Sequence, residues 1–250
     1  MNTEYIGLIT TLLLGIFILI GASFAFVVKR KEKIVDLSIG LAFGVIVMLI
    51  ATDLLPEIIE QLEIKHIYLF LIFTIIGFML LKVLDNFIPD HDETKMTKKE
   101  AKENLIHIGI ITSFALALHN IIEGMAVYST IITDQTLGFT LMIGVGFHNI
   151  PLGMVIASSF YQSNGSKEKT LLSILGVSLS TFLGGIIMYL FKIQTISPIL
   201  LGILLSITLG MLLFISLHEL LPRIKNTKNK KTTMIGIGIG VIILLISLFF

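Results

Sequence analysis

Apolar runs of roughly 20 residues recur along the whole chain, each long enough to cross a bilayer as a helix. No other feature limits the fold so strongly. Eight candidate spans can be drawn, at about 5–28, 34–56, 66–88, 104–130, 137–161, 169–191, 197–221 and 233–250. Charged residues make up 14% of the chain, against about 25% in an ordinary soluble domain. No length is left over for a separate soluble domain, so residues 1–250 read as a single polytopic transmembrane domain. The first run, Tyr5 to Val28, is of spanning length and follows a segment without Lys or Arg. It reads as an uncleaved first helix rather than a signal peptide.

Charge placement tests this count. Sixteen of the 18 Lys and Arg fall in the connections after spans one, three, five and seven or, for Lys82 and Lys169, in the parts of the spans that border them. The other side holds Lys65 and Lys192, beside Glu57, Glu60 and Glu63. A missed or spurious span would scramble that alternation. By the positive-inside rule, both termini face outward and the odd-numbered connections face the cytoplasm. The longest connection, about 89–103, is mixed in charge and cytoplasmic on this reading. Its Asp90, His91, Asp92 and Glu93 form a candidate weak metal-gathering cluster, although a solvated loop is the simpler reading.

Inside the apolar spans, ionisable side chains are costly and need a reason. The mid-membrane set is His119, Glu123 and His148; Asp53, His107, His218 and Glu219 lie nearer span ends. His119 and Glu123 are four residues apart and share a helix face. His148 begins an echo of the same frame 29 positions later, in Phe147-His148-Asn149-Ile150-Pro151-Leu152-Gly153. Two imidazoles and a carboxylate meeting between helices four and five make a divalent-metal site, with Asn120 and Asn149 as flanking oxygen donors. Pro151 removes the amide donor that the Phe147 carbonyl would use, which predicts a bend beside the site. The glycines at 124, 144, 146 and 153 permit close helix approach. The chain has no cysteine, so thiolate sites and cysteine nucleophiles are excluded.

A second internal similarity joins distant parts. Ala51-Thr52-Asp53-Leu54-Leu55-Pro56-Glu57-Ile58 matches Leu217-His218-Glu219-Leu220-Leu221-Pro222-Arg223-Ile224 at an offset of 166, which also aligns Gly44 with Gly210. Span two runs outward and span seven inward, so the two Leu-Leu-Pro ends lie on opposite faces. Such inverted repeats belong to transporters, where two related halves supply two gates. The fold class read from this is an all-α membrane protein of eight transmembrane helices, in an inverted-repeat (3+2+3) architecture. His218 and Glu219 then suit an exit relay and Asp53 an entrance, with plain helix-end polarity as the alternative for each. His218-Glu219 is no zinc-peptidase motif, because Pro222 stands where the second His would be.

Together these residues resemble the ZIP family of divalent-metal transporters, over nearly the whole chain. The pattern His-Asn-x-x-Glu-Gly matches at 119–124. The span-five form, His-Asn-x-Pro-Glu-Gly, matches at His148, Asn149, Pro151 and Gly153, and the span-seven His-Glu at His218-Glu219. Two departures bear on chemistry. Leu152 stands where many members have a metal-bridging Glu. Span six offers only Ser180, Thr181 and Phe182 where some members place Glu-Pro. One metal per site is expected. The resemblance implies uptake of a metal ion into the cytoplasm, a homodimer, alternating access by one helix bundle sliding against another, and no prosthetic group. Two imidazoles favour Zn²⁺ or Fe²⁺, with Mn²⁺ and Cd²⁺ as further candidates. The setting expected is the lipid bilayer of a bacterial plasma membrane, with no nucleic-acid partner. Two rival readings are a metal-sensing homologue that does not transport and an intramembrane zinc hydrolase. The hydrolase lacks a general base once Glu123 is spent as a ligand.

Overall fold

The computed structural model describes residues 2–27, 32–86, 98–162, 167–227 and 229–247, and among them every regular element is a helix. Eight rods follow in order: α1 (Thr3–Val27), α2 (Glu32–Leu49, continuing through Ile50–Leu54 and Leu55–Leu62), α3 (Ile67–Asn86), α4 (Lys98–Thr133), α5 (Gln135–Gln162), α6 (Lys167–Leu190), α7 (Pro198–Phe214, Ile215–Leu220 and Leu221–Asn226) and α8 (Lys230–Ser247). Seven of these are long and apolar enough to cross a membrane. The eighth, α8, has the helix but not a place among those seven. The cluster Asp90–Glu93 lies outside the described residues, as does the side chain of His107.

The helices are apolar on the face that a soluble protein would make polar. Leu71, Ile72, Ile75, Met79 and Val83 of α3 are all exposed, and the most apolar window of α3 is only 11% buried. The interior holds an apolar core and, with it, many hydroxyls and amides. An aliphatic outer face on this scale is stable only with lipid as solvent, since bulk water would leave it uncovered. Buried hydroxyls act as ties between rods. Ser178 of α6 donates to the Gly15 carbonyl of α1 at 2.8 Å, and Thr181 donates to that of Thr11 at 3.0 Å. Thr181 thus serves packing, which fits the absence of a span-six carboxylate.

The packing is paired. α2 lies along α8 and α7 along α3, while α1 lies along α5 and α4 along α6. Exchanging α1–α3 with α6–α8, and α4 with α5, maps each pair onto another. The 3+2+3 arrangement is therefore in the contacts as well as the sequence. The matched glycines mark corresponding crossings. A Cβ on Gly44 would overlap the Ile237 carbonyl oxygen of α8, and one on Gly210 would overlap the Thr74 carbonyl oxygen of α3.

The same correspondence extends to a backbone irregularity. In α2 the segment Ile50–Leu54 widens to π geometry, and the Leu55 amide bonds the Ile50 carbonyl five residues back. In α7 the segment Ile215–Leu220 does likewise, with the Leu221 amide on the Ser216 carbonyl. Both bonds are related by the offset of 166. Each is followed by a proline, Pro56 or Pro222, that cannot donate in the α register. By contrast, α5 continues through Pro151 without interruption.

Candidate metal centre

Helices α4 and α5 bring His119, Glu123 and His148 together. Close backbone approach makes this possible. A Cβ on Gly124 would overlap the Thr181 carbonyl oxygen of α6, and one on Gly153 that of Ile18 in α1. These glycines end the two His-Asn frames and press α4 and α5 against the outer helices. His119 and His148 are 2% and 5% exposed and Glu123 9%, so all three are withdrawn from bulk solvent.

One carboxylate oxygen is shared by both imidazoles. Glu123 Oε1 lies 2.8 Å from His148 Nε2 and 2.7 Å from His119 Nε2. The first is a hydrogen bond. The second is too oblique to be one, and neither ring nitrogen of His119 has an aligned partner. The ligand atoms of the three residues lie within 4.8 Å of one another. Tetrahedral Zn²⁺ needs its donors about 2.0–2.1 Å from the metal, hence about 3.3 Å apart. To reach that spacing the two close contacts would open by roughly half an ångström.

The amides behave differently from each other. Asn149 donates from Nδ2 to Glu123 Oε2 at 3.3 Å, steadying the carboxylate's second oxygen. Asn120 instead donates to the Val177 carbonyl of α6 at 3.3 Å, tying α4 to α6. In both, Oδ1 is buried with no partner. A buried amide oxygen left unpaired costs free energy comparable to a lost hydrogen bond. The Asn149 amide, with two imidazoles and a carboxylate, makes a donor set suited to a borderline or hard divalent cation.

A cavity of about 660 Å³ reaches from this cluster past Asp53 to Glu57, Glu60 and Gln61 at the end of α2. Its rim includes Ser129 and Thr130 of α4 and Thr140 of α5. The cavity thus points to the face that carries the even-numbered connections. Asp53, expected at an outer mouth, stands deeper than that, with Oδ2 3.8 Å from His148 Nδ1. Its placement follows from the π segment, which sequence reasoning missed; the repeated Leu-Leu-Pro was the available signal. His218 and Glu219 are not part of the cluster. His218 is exposed and stacks on Phe214 with ring centroids 5.0 Å apart. Leu152, where a second carboxylate would stand, is 2% exposed in the apolar core.

Comparison with known proteins follows this geometry. The sequence profile of the family described as ZIP zinc transporter matches residues 89–247, more than half of the chain. Curated relatives cover almost all of it. The zinc transporter ZupT of Clostridium perfringens is 28% identical, over 99% of this chain and 96% of the relative. Those of Streptococcus mutans and Chlorobium phaeovibrioides are 28% and 29% identical, over 98% and 99% of this chain and 97% and 98% of the relatives.

Proposed function

This chain belongs to the ZIP zinc transporter family, and on that premise we propose that it carries divalent metal cations into the cytoplasm through His119, Glu123 and His148. Zn²⁺ is the first candidate, and Fe²⁺, Mn²⁺ and Cd²⁺ are to be ranked against it. The observation that carries the reading is the convergence of three buried ligands at the inner end of a cavity lined by Asp53, Glu57 and Glu60. Carboxylates along the way concentrate cations, and the ligands at the end replace the shed hydration shell.

The ligand set favours passage over storage. One carboxylate against a dication leaves a net charge near +1, so the ion is held less firmly than in a two-carboxylate site. Asn120 and Asn149 supply neutral oxygens. Asp53 serves the entrance side, and His218 with Glu219 the exit. The distribution of Lys and Arg supports extracellular termini and a plasma-membrane setting. The whole of 1–250 works as one transmembrane unit, and a homodimer is the assembly the family resemblance implies.

The test is metal uptake by purified protein in liposomes loaded with a metal-sensitive dye. Zn²⁺, Fe²⁺, Mn²⁺ and Cd²⁺ are offered separately, with a His119→Ala, Glu123→Ala variant beside the wild type. Saturable uptake that vanishes in the variant is expected. Folded protein that binds Zn²⁺ without carrying it would sink the reading in favour of a sensor.

A further inference from the structure

The two imidazoles of the metal centre are not held alike. His148 turns Nε2 to Glu123, and its other nitrogen, Nδ1, is 3.8 Å from Asp53 Oδ2. His119 has no counterpart to that contact, for its Nδ1 is buried without a partner. Metal-binding imidazoles generally donate their second N–H to a carboxylate or carbonyl. That bond fixes tautomer and ring orientation and strengthens the nitrogen that meets the metal. A separation of 3.8 Å is too long for a hydrogen bond, yet a small rotamer change or one bridging water closes it. Asp53 is aimed by its surroundings. It sits in the π segment of α2, and the Thr52 hydroxyl lies 3.4 Å from Oδ1, leaving Oδ2 toward His148. Thr52 is itself anchored, donating to the Met48 carbonyl at 2.8 Å.

The repeat supplies the second half. The offset of 166 that takes Ile50 to Ser216 and Pro56 to Pro222 takes Asp53 to Glu219. It sets Glu219 in a π segment, as Asp53 is. α2 packs on α5, which carries His148, and α7 packs on α4, which carries His119. The pseudo-symmetric partner of Glu219 is therefore His119, the imidazole whose Nδ1 is unpaired in the described state. We propose that Asp53 and Glu219 are alternating positioning residues of the metal centre. Asp53 orients His148 while the cavity opens toward the end of α2. Glu219 orients His119 when the opposite face is open. A cation arriving from one side meets one well-set imidazole and leaves from the other, and neither state holds both rings fully fixed.

The sidedness rests on the proposed transport, but the role of Asp53 can be judged without flux. Full-length wild type, Asp53→Asn, Asp53→Glu and Glu219→Gln are compared by Zn²⁺ calorimetry, by ¹⁵N NMR of histidine-labelled protein, and by uptake in right-side-out vesicles. A His148→Gln sample identifies the His148 signals. Asp53→Asn is expected to weaken Zn²⁺ binding about 10-fold, within the range of lost outer-shell partners. It should shift the His148 ring signals toward a tautomer mixture and raise KM at constant kcat. Asp53→Glu recovers part of the affinity. Glu219→Gln leaves calorimetric affinity and the His148 signals in place and lowers kcat. Unchanged affinity and unchanged His148 signals in Asp53→Asn overturn the proposal. So does an equal affinity loss in Asp53→Asn and Glu219→Gln. Wild type that binds Zn²⁺ but shows no uptake overturns the transport reading instead, and calorimetry and NMR still decide the role of Asp53.

Discussion

The segments 50–56 and 216–222 share a Leu-Leu-Pro ending, a π turn and a preceding glycine contact, yet they stand in different surroundings. In α2 the π turn delivers Asp53 into a cavity next to His148, with Glu57 and Glu60 further out. In α7 the equivalent turn places His218 at an exposed position against Phe214. The backbone device is the same in both, so the difference lies in what each faces. The cavity joins the metal centre to the α2 end, and the related device at the α7 end stands outside it. On the proposed transport, two related segments in unlike surroundings are what alternating access requires.

The comparison can be broken most severely where both halves meet. Glu123 turns one carboxylate oxygen to both imidazoles and the other to the Asn149 amide. Glu123→Ala should abolish saturable uptake and weaken Zn²⁺ binding by more than the roughly 100-fold upper range of outer-shell losses, as calorimetry would read. Residual tight binding would place the cation elsewhere.

Next come the matched glycines. Gly210→Ala drives a methyl into the Thr74 carbonyl of α3, and Gly44→Ala does the same at Ile237 of α8 with slightly more room. Overpacking of this kind costs about 1–3 kcal/mol. Both variants should melt earlier in detergent, Gly210→Ala more so. Equal or absent shifts would mean the crossings are not as tight as described.

A third change makes the second His-Asn frame more like the first. Leu152→Glu buries a carboxylate in the apolar core, so the metal-free protein should lose melting temperature. With Zn²⁺ present that loss should reverse, and affinity should rise about 10-fold, or about 1.4 kcal/mol. No gain in affinity would show that position 152 does not face the ion.

The smallest effect is expected from the prolines. Pro56→Ala and Pro222→Ala each restore an N–H that the π turn does without. Melting temperatures should change little. Pro56→Ala should raise the KM of uptake by a factor below about ten, because that turn aims Asp53. A matching KM change in Pro222→Ala would remove the distinction between the two segments.

Much of this arrangement is legible in the sequence, for identifiable reasons. Membrane spans announce themselves because a helix in lipid must be apolar over most of a roughly 20-residue stretch, and seven of the eight read here reappear as long apolar helices. His119 and Glu123 are joined by the helical repeat, and His148 by the echoed His-Asn frame. All three are thus legible in the sequence. The two Asn roles were not. Whether an amide turns to the metal centre, as Asn149 does, or to a neighbouring backbone, as Asn120 does, depends on which helix packs behind it. The depth of Asp53 was also hidden. Its aim depends on an extra residue in one helical turn, and helical periodicity assumes that no such residue is present.

The central claim is that a single cation is held by His119, His148 and Glu123 together. X-ray absorption at the zinc edge, on protein loaded with one equivalent of Zn²⁺, tests it most directly. Two imidazoles about 2.0–2.1 Å from the metal are expected in the wild type, one in His119→Ala and one in His148→Ala. An imidazole count unchanged by either substitution would contradict the account.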